Sequence, residues 1–229
     1  MTRQINGISS MATRQILTDL AGEYEQQTGC RVTIESVGGV DAARRVQAGE
    51  PFDVIVLAAN VMEQLEAAGR IVVGSRVDFA RSGMAMAVRS GAQRPPVDDE
   101  QSVQQAVLGA RYICYSTGPS GMHLKQLLER WGIAGSISQR IVQAPPGVSV
   151  GVLVARGEAD LGFQQLSELL HLPGIEIIGV LPPEIQAMTV FSAGVCNASS
   201  KPGEARDLVA FLTSSEAEAG KRRHGMEPP

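Results

Sequence analysis

Residues 31–60 read RVTIESVGGVDAARRVQAGEPFDVIVLAAN. The first seven alternate, Val32, Ile34 and Ser36 opposed to Thr33 and Glu35, as in a strand with two unlike faces. Gly38 and Gly39 then open a short helical stretch, DAARRVQAG, and FDVIVLAAN follows as a continuous apolar run. Such a run marks a strand covered on both faces, the habit of parallel sheets. Strand, helix and buried strand in succession make a β-α-β unit. The fold class that follows is α/β with a mostly parallel sheet flanked by helices.

The same alternation extends in both directions. Upstream lies the strand QINGIS and then the helix MATRQILTDLAGEYEQQTG, whose Ile16, Leu17, Leu20 and Tyr24 recur at helical spacing before Gly29 stops it. Downstream come a short helix, VMEQLEAAG, the apolar strand RSGMAMAV and a Pro/Gly-rich connection, SGAQRPPVDDEQS. The alternation restarts with SVQQAVLG (helix), RYICYS (strand), HLKQLLERWG (helix) and RIVQ (strand). VSVGVLVARGE (helix), ADLGFQ (strand) and LSELLH (helix) continue it. The strands GIEIIGVLP and AMTVFSAGVC and one closing helix, GEARDLVAFLTSSEAEAGKRRHG, complete the chain. There is no short tandem repeat, but two β-α-β arrays each present a glycine- and serine-bearing turn after a strand. Open α/β sheets bind ligands at the carboxyl ends of their strands, so two facing arrays would make a cleft between two lobes.

Composition narrows the function classes. Of 229 residues, 44% are apolar and 19% charged, the balance of a globular chain, and a net charge of −4 argues against nucleic acid as a partner. The basic run Lys221, Arg222, Arg223, His224 sits before Gly225, where cations suit a helix C-terminus and glycine its αL cap. No segment approaches the ~18 apolar residues of a membrane span, so no membrane insertion is expected. Cys30, Cys114 and Cys196 are odd in number and lack metal or redox spacing; Cys114, in RYICYS, reads as a buried thiol. The first residues lack a basic region followed by an apolar one. The chain is therefore either cytoplasmic or, if a leader was removed, periplasmic.

The chemistry-bearing residues gather at turns before helices, where unpaired N–H groups and the helix dipole favour anions. Asn6, Gly7, Ser9 and Ser10 are candidates where the first strand gives way to the first helix, Ser9 or Ser10 acting as ligand donor or as N-cap. Gly39 and Val40 offer backbone N–H groups, with Asp41 placed as N-cap. Ala59 and Asn60 end the third strand, Asn60 serving as cap or as neutral donor. The richest turn is Ser116, Thr117, Gly118, Ser120 and Gly121, with Pro119 stiffening it and His123 in the first helical turn. Gly147 and Val148 precede another helix, and Gln164 stands at a strand end. No G-x-S-x-G, P-loop, dinucleotide or H-E-x-x-H motif occurs, and the three histidines are dispersed, so neither a metal nor a cofactor is expected. Backbone N–H groups, hydroxyls and amides suit a small oxyanion or carboxylate.

The order NGISS, GGVDAARRVQAGEPFDVIVLAA, YSTGPSG, VLVARGEADLGFQQ and TVFSAGV resembles the type 2 periplasmic binding proteins, within them the molybdate-binding branch of extracellular solute-binding proteins. The resemblance implies two α/β lobes that close on ligand like a hinge, through crossover strands near Asp78 to Arg81 and near Met188 to Ala193. Lobe one would be residues 1–80 plus 191–229, and lobe two residues 81–190. It implies a small anionic ligand and an ABC transporter permease as partner. Family molybdate sites use hydroxyls from the first turn, a serine in the second, backbone N–H groups and a late tyrosine. Ser9 or Ser10 matches the first element. Gly38-Gly39-Val40 has no hydroxyl, and Gln164 stands at or near the tyrosine's place. Two lost hydroxyls at ~1 kcal/mol or more each cost over tenfold in affinity, so the resemblance does not favour molybdate itself. It also implies an alternative to a solute-binding protein. Some similar proteins are aconitate isomerases, which need a base and carbanion-stabilising donors, and His123 is the base these residues suggest.

Overall fold

The structure, a computed structural model, describes residues 3–229. The chain runs through β1 (Gln4–Ser10), α1 (Arg14–Thr28), β2 (Arg31–Val37), α2 (Gly39–Gln47), β3 (Val54–Ala58) and α3 (Ala59–Ala67). It continues through β4 (Val77–Arg89), α4 (Glu100–Gly109), β5 (Ile113–Tyr115), α5 (Pro119–Arg130), α6 (Ala134–Ile137), β6 (Ile141–Gln143) and α7 (Val150–Ala155). Then come β7 (Leu161–Gln165), α8 (Leu166–Leu169), β8 (Ile175–Val180), β9 (Met188–Val195), α9 (Pro202–Leu212) and α10 (Glu218–Arg223). Two compact units result. One is the chain up to Arg81 with Val190–Pro229; the other is Ser82–Thr189. The chain passes between them twice, within β4 and within β9.

In the first unit the sheet order is β2-β1-β3-β9, the first three parallel and β9 antiparallel to β3. β3, VIVLA, is buried along its whole length. Its alternation serves two cores. Val54 and Val56 join Ile16, Leu17, Leu20, Phe191, Leu208 and Leu212, while Ile55 and Leu57 join Ile8, Val46, Met62 and Leu65. A strand buried on both faces must be apolar at every position, which is why this run has no polar phase. Burying each such side chain contributes about 1.5–3 kcal/mol.

The second unit repeats the scheme with order β6-β5-β7-β4-β8; β6, β5 and β7 are parallel, and β4 is antiparallel to β7 and β8. Met84, Met86 and Phe163 pack beneath α4 and α5 with Val103, Val107, Leu124 and Leu128. Cys114 packs on the other face with Val150, Leu153 and Val154 of α7.

The closing helix is not continuous. α9 stops at Leu212, and a 3-10 turn over Ser215–Ala217 precedes α10. The hydroxyls of Thr213 and Ser214 donate back to the carbonyls of Val209 and Phe211, which gives the backbone an alternative to the next helical turn. The basic run does end a helix, and Gly225 has φ 65°. Its lysine is not solvated, however. Lys221 is 2% exposed, its ammonium lies 5.0 Å from the Phe79 ring centroid, and burial pulls its pKa down. Among the described residues no helix is long and apolar enough to cross a membrane.

Candidate functional site

In the first unit the carboxyl ends of β2, β1 and β3 lie side by side. Ser9 is level with Ser36 on one neighbour and with Val56 on the other. Each end leads into a helix start without a side-chain cap: Ser10 before a 3-10 turn, Gly38 before α2, Ala58 before α3. Ser9 is fully buried, 2.8 Å hydroxyl to hydroxyl from Ser36, and its Oγ–H also lies 3.2 Å from the Ser10 carbonyl. Ser10 Oγ is buried with no partner among the described residues, and a Cβ on Gly39 would stand 3.8 Å from Ser10 Cβ. Ser9, Ser10, Ser36, Gly39 and Val40 therefore share one corner.

Several sequence expectations shift here. β1 runs through Ser10, so Asn6 and Gly7 are mid-strand, away from its end; the Asn6 N–H donates to Asp53 and its side chain accepts from Gln4. Gly7 is hemmed in by the Val54 carbonyl and Ile34. Asp41 is not the N-cap. Gly38 is, and Asp41 pairs with Arg44 at 2.8 Å. Asn60 does not cap α3 either, because the helix begins at Ala59 and leaves Asn60 exposed in the first turn.

The second unit has a strand-end edge of its own. Tyr115 is level with Phe163 on β7 and Gln143 on β6, so the turn at Ser116 adjoins the end of β7. α5 starts at Pro119, earlier than the sequence suggests, with Gly118 as an uncapped N-cap. Ser116 Oγ accepts from the Gly118 N–H at 3.2 Å and stands 3.2 Å from Ser120 Oγ. Thr117 is exposed, and Ser120 is 2% exposed. A Cβ on Gly121 would fall 1.7 Å from the Ser116 carbonyl oxygen, so only glycine lets helix and strand end approach this closely. His123 is the fifth residue of α5, one turn in, and its Nε2–H donates to the Ile185 carbonyl at 2.8 Å. That bond leaves Nδ1 as its open nitrogen.

Gln164 has a definite role within this unit. Its Oε1 accepts from Ser149 Oγ–H at 3.0 Å and from the Val150 N–H at 2.9 Å, and its Nε2 donates to Glu168 Oε1 at 2.8 Å. Ser149 caps α7, and Gly147 and Val148 lie exposed just before it. Glu168 was missed in the sequence because LSELLH reads as an ordinary surface helix. Burial pushes its carboxyl up to about 7, against the hydrogen bonds from Gln164 and the Gln165 backbone. Gln165 Oε1 and Ser167 Oγ, both buried, lack partners among the described residues. The signal was the polar run QQLSE directly after an apolar strand.

The cysteines take no part. All three are free and buried, and burial pushes the Cys114 and Cys196 thiols up to about 12. Among the described residues no three His, Cys, Asp or Glu side chains converge to hold a metal. The starts at Met11, Ala59, Pro119 and Val150 carry no acidic residue in their first turn. N–H groups, hydroxyls and one protonatable carboxyl are thus what these edges offer.

Comparison with known proteins agrees with this architecture. The family described as bacterial extracellular solute-binding protein matches residues 5–227. The chain is 36% identical to an aconitate isomerase of Pseudomonas sp, over 96% of this chain and 86% of that protein. It is 30% identical to the molybdate-binding protein ModA of Azotobacter vinelandii, over 67% of this chain and 61% of that protein. The solved periplasmic molybdate-binding protein of Azotobacter vinelandii is similar with a TM-score of 0.83 and 25% identity, covering 98% of this chain and 99% of that chain. The chain belongs to the bacterial extracellular solute-binding proteins, in their molybdate-binding-protein-like branch with the two-lobed type 2 periplasmic-binding fold.

Proposed function

We propose that this chain binds a small polycarboxylate anion at helix starts that follow its strand ends. The observation that carries the reading is the set of helix starts after β1, β2, β3 and β5, none with a side-chain cap. Uncapped starts leave N–H donors and the positive end of the helix dipole available to a carboxylate. Ser10, Ser116 and Ser120 stand among them as hydroxyl donors. The Gly38-Gly39-Val40 turn has no hydroxyl, and Gln164 is engaged in capping α7. Both features weaken the case for a compact tetrahedral oxyanion. As a member of its family, the protein would work outside the cytoplasm and pass its ligand to an ABC permease.

A thermal-shift panel of citrate, tricarballylate, cis- and trans-aconitate, molybdate, tungstate and sulfate tests this. A true ligand at ~100 times its Kd adds about 2.7 kcal/mol, or about 5–10 °C in Tm for a chain of this size. Stabilisation by molybdate and tungstate alone would sink the polycarboxylate reading.

A second reading is isomerisation of the bound ligand. It is favoured by the 36% identity to a protein named aconitate isomerase across nearly the whole chain. Incubation with cis-aconitate should then yield the trans isomer, and no conversion at high protein concentration removes this reading.

A further inference from the structure

The end of β7 holds an unusual amount of buried polarity. Gln164, Gln165 and Ser167 are each 4% exposed or less, yet they follow directly on the apolar Leu161–Phe163 segment. Such groups are costly to bury unless paired. Gln165 Nε2 donates to Thr189 Oγ1 at 2.7 Å, but its oxygen and the Ser167 hydroxyl have no partner among the described residues. Gln164 is oriented without ambiguity. Two donors converge on its oxygen, so its NH₂ must face Glu168. The Glu168 carboxyl is thus fixed at the strand-end edge that also carries the Ser116–Ser120 turn, since Tyr115 and Phe163 are in register.

Resting on the isomerase reading, we propose that Glu168 is the catalytic residue that moves the proton of an unsaturated polycarboxylate with an allylic methylene. As carboxylate, Glu168 takes a proton from the methylene carbon. The C–H electron pair becomes the new C=C bond, and the π pair of the old double bond shifts to its far carbon. The resulting carboxylic acid returns the proton there. One proton leaves and one returns, so no oxidant, reductant or second substrate is consumed. A carboxyl held near neutrality by burial is populated in both forms, as a one-base shuttle requires, and its neutral form sets no charge against an anion. The Cys114 thiol is fully buried and stays protonated, and His123 has one nitrogen tied to a backbone carbonyl.

The test is Glu168→Gln, which keeps an oxygen for the Gln164 NH₂. In D₂O, NMR follows cis-aconitate for trans product and for deuterium at its methylene. Wild type should yield the trans product, with deuterium at its methylene only so far as the Glu168 proton exchanges with solvent before it returns. E168Q should lose conversion at least a hundredfold yet keep its Tm gain with tricarballylate, which has no double bond to move. Conversion by E168Q within tenfold of wild type overturns the proposal. If E168Q fails to fold, Glu168→Asp decides: a folded E168D at least tenfold slower supports the role, and undiminished conversion overturns it. A wild type that is stabilised by polycarboxylates but neither converts nor exchanges overturns the proposal while ligand binding stands. One that polycarboxylates do not stabilise overturns the binding reading itself.

Discussion

Gly121 shows how much one missing methyl group controls. A side chain there meets a backbone oxygen, which cannot rotate away, so Gly121→Ala must displace either the Ser116 carbonyl or the start of α5. Overpacking of this kind costs about 1–3 kcal/mol, and a Tm lower by about 2–12 °C is expected. Gly22→Ala in the middle of α1 meets nothing within 4 Å and should leave Tm unchanged or slightly raised. Equal effects from the two would refute the steric account. The sequence shows why a glycine belongs after YSTGPS, but not which of the two glycines is indispensable. Gly118 has open space except for Ser116 Oγ at 3.5 Å, whereas Gly121 has none. Glu168 was illegible for a related reason. Its spacing in LSELLH is that of a solvated helix face, and the polar run before it does not disclose the Gln164 contact.

At the scale of elements, alternation of apolar runs and helical periods was legible almost throughout, because strands such as β3, β5 and β7 are buried along their whole length and must declare it in composition. What failed were ends and breaks. The start of α3 was read two residues late because asparagine is a common cap, and the α9–α10 break was hidden within a helical pattern that Thr213 and Ser214 interrupt. α7 has a start secured from outside the local sequence as well, since its first N–H groups are met by Gln164 from β7 and by Ser149. Gln164→Leu leaves the buried Val150 N–H unpaired and should cost about 1–3 kcal/mol. Hydrogen exchange at Val150 should accelerate at least tenfold beyond any change seen in α9. Unchanged protection there would show that Ser149 alone suffices.

For the whole molecule, the division matters more than either half. Ser82–Thr189 is a single uninterrupted segment with its own five strands and core, whereas the other unit needs both chain ends. A protein consisting of residues 82–189 should therefore melt cooperatively on its own, with far-UV circular dichroism showing mixed helix and sheet. Residues 1–81 alone should not, since β9 and α9 supply Phe191, Ala193, Val195, Leu208 and Leu212 to their core. A non-cooperative 82–189 fragment would contradict this division. There is a temporal consequence on the ribosome. As the polypeptide emerges, Ser82–Thr189 can finish folding while the segment before it waits with an unpaired β3 edge until Val190–Pro229 arrive. The unit that contains β1 to β3 is thus completed only after the whole of the other unit has been made, and until then the edge of β3 that pairs with β9 stays open.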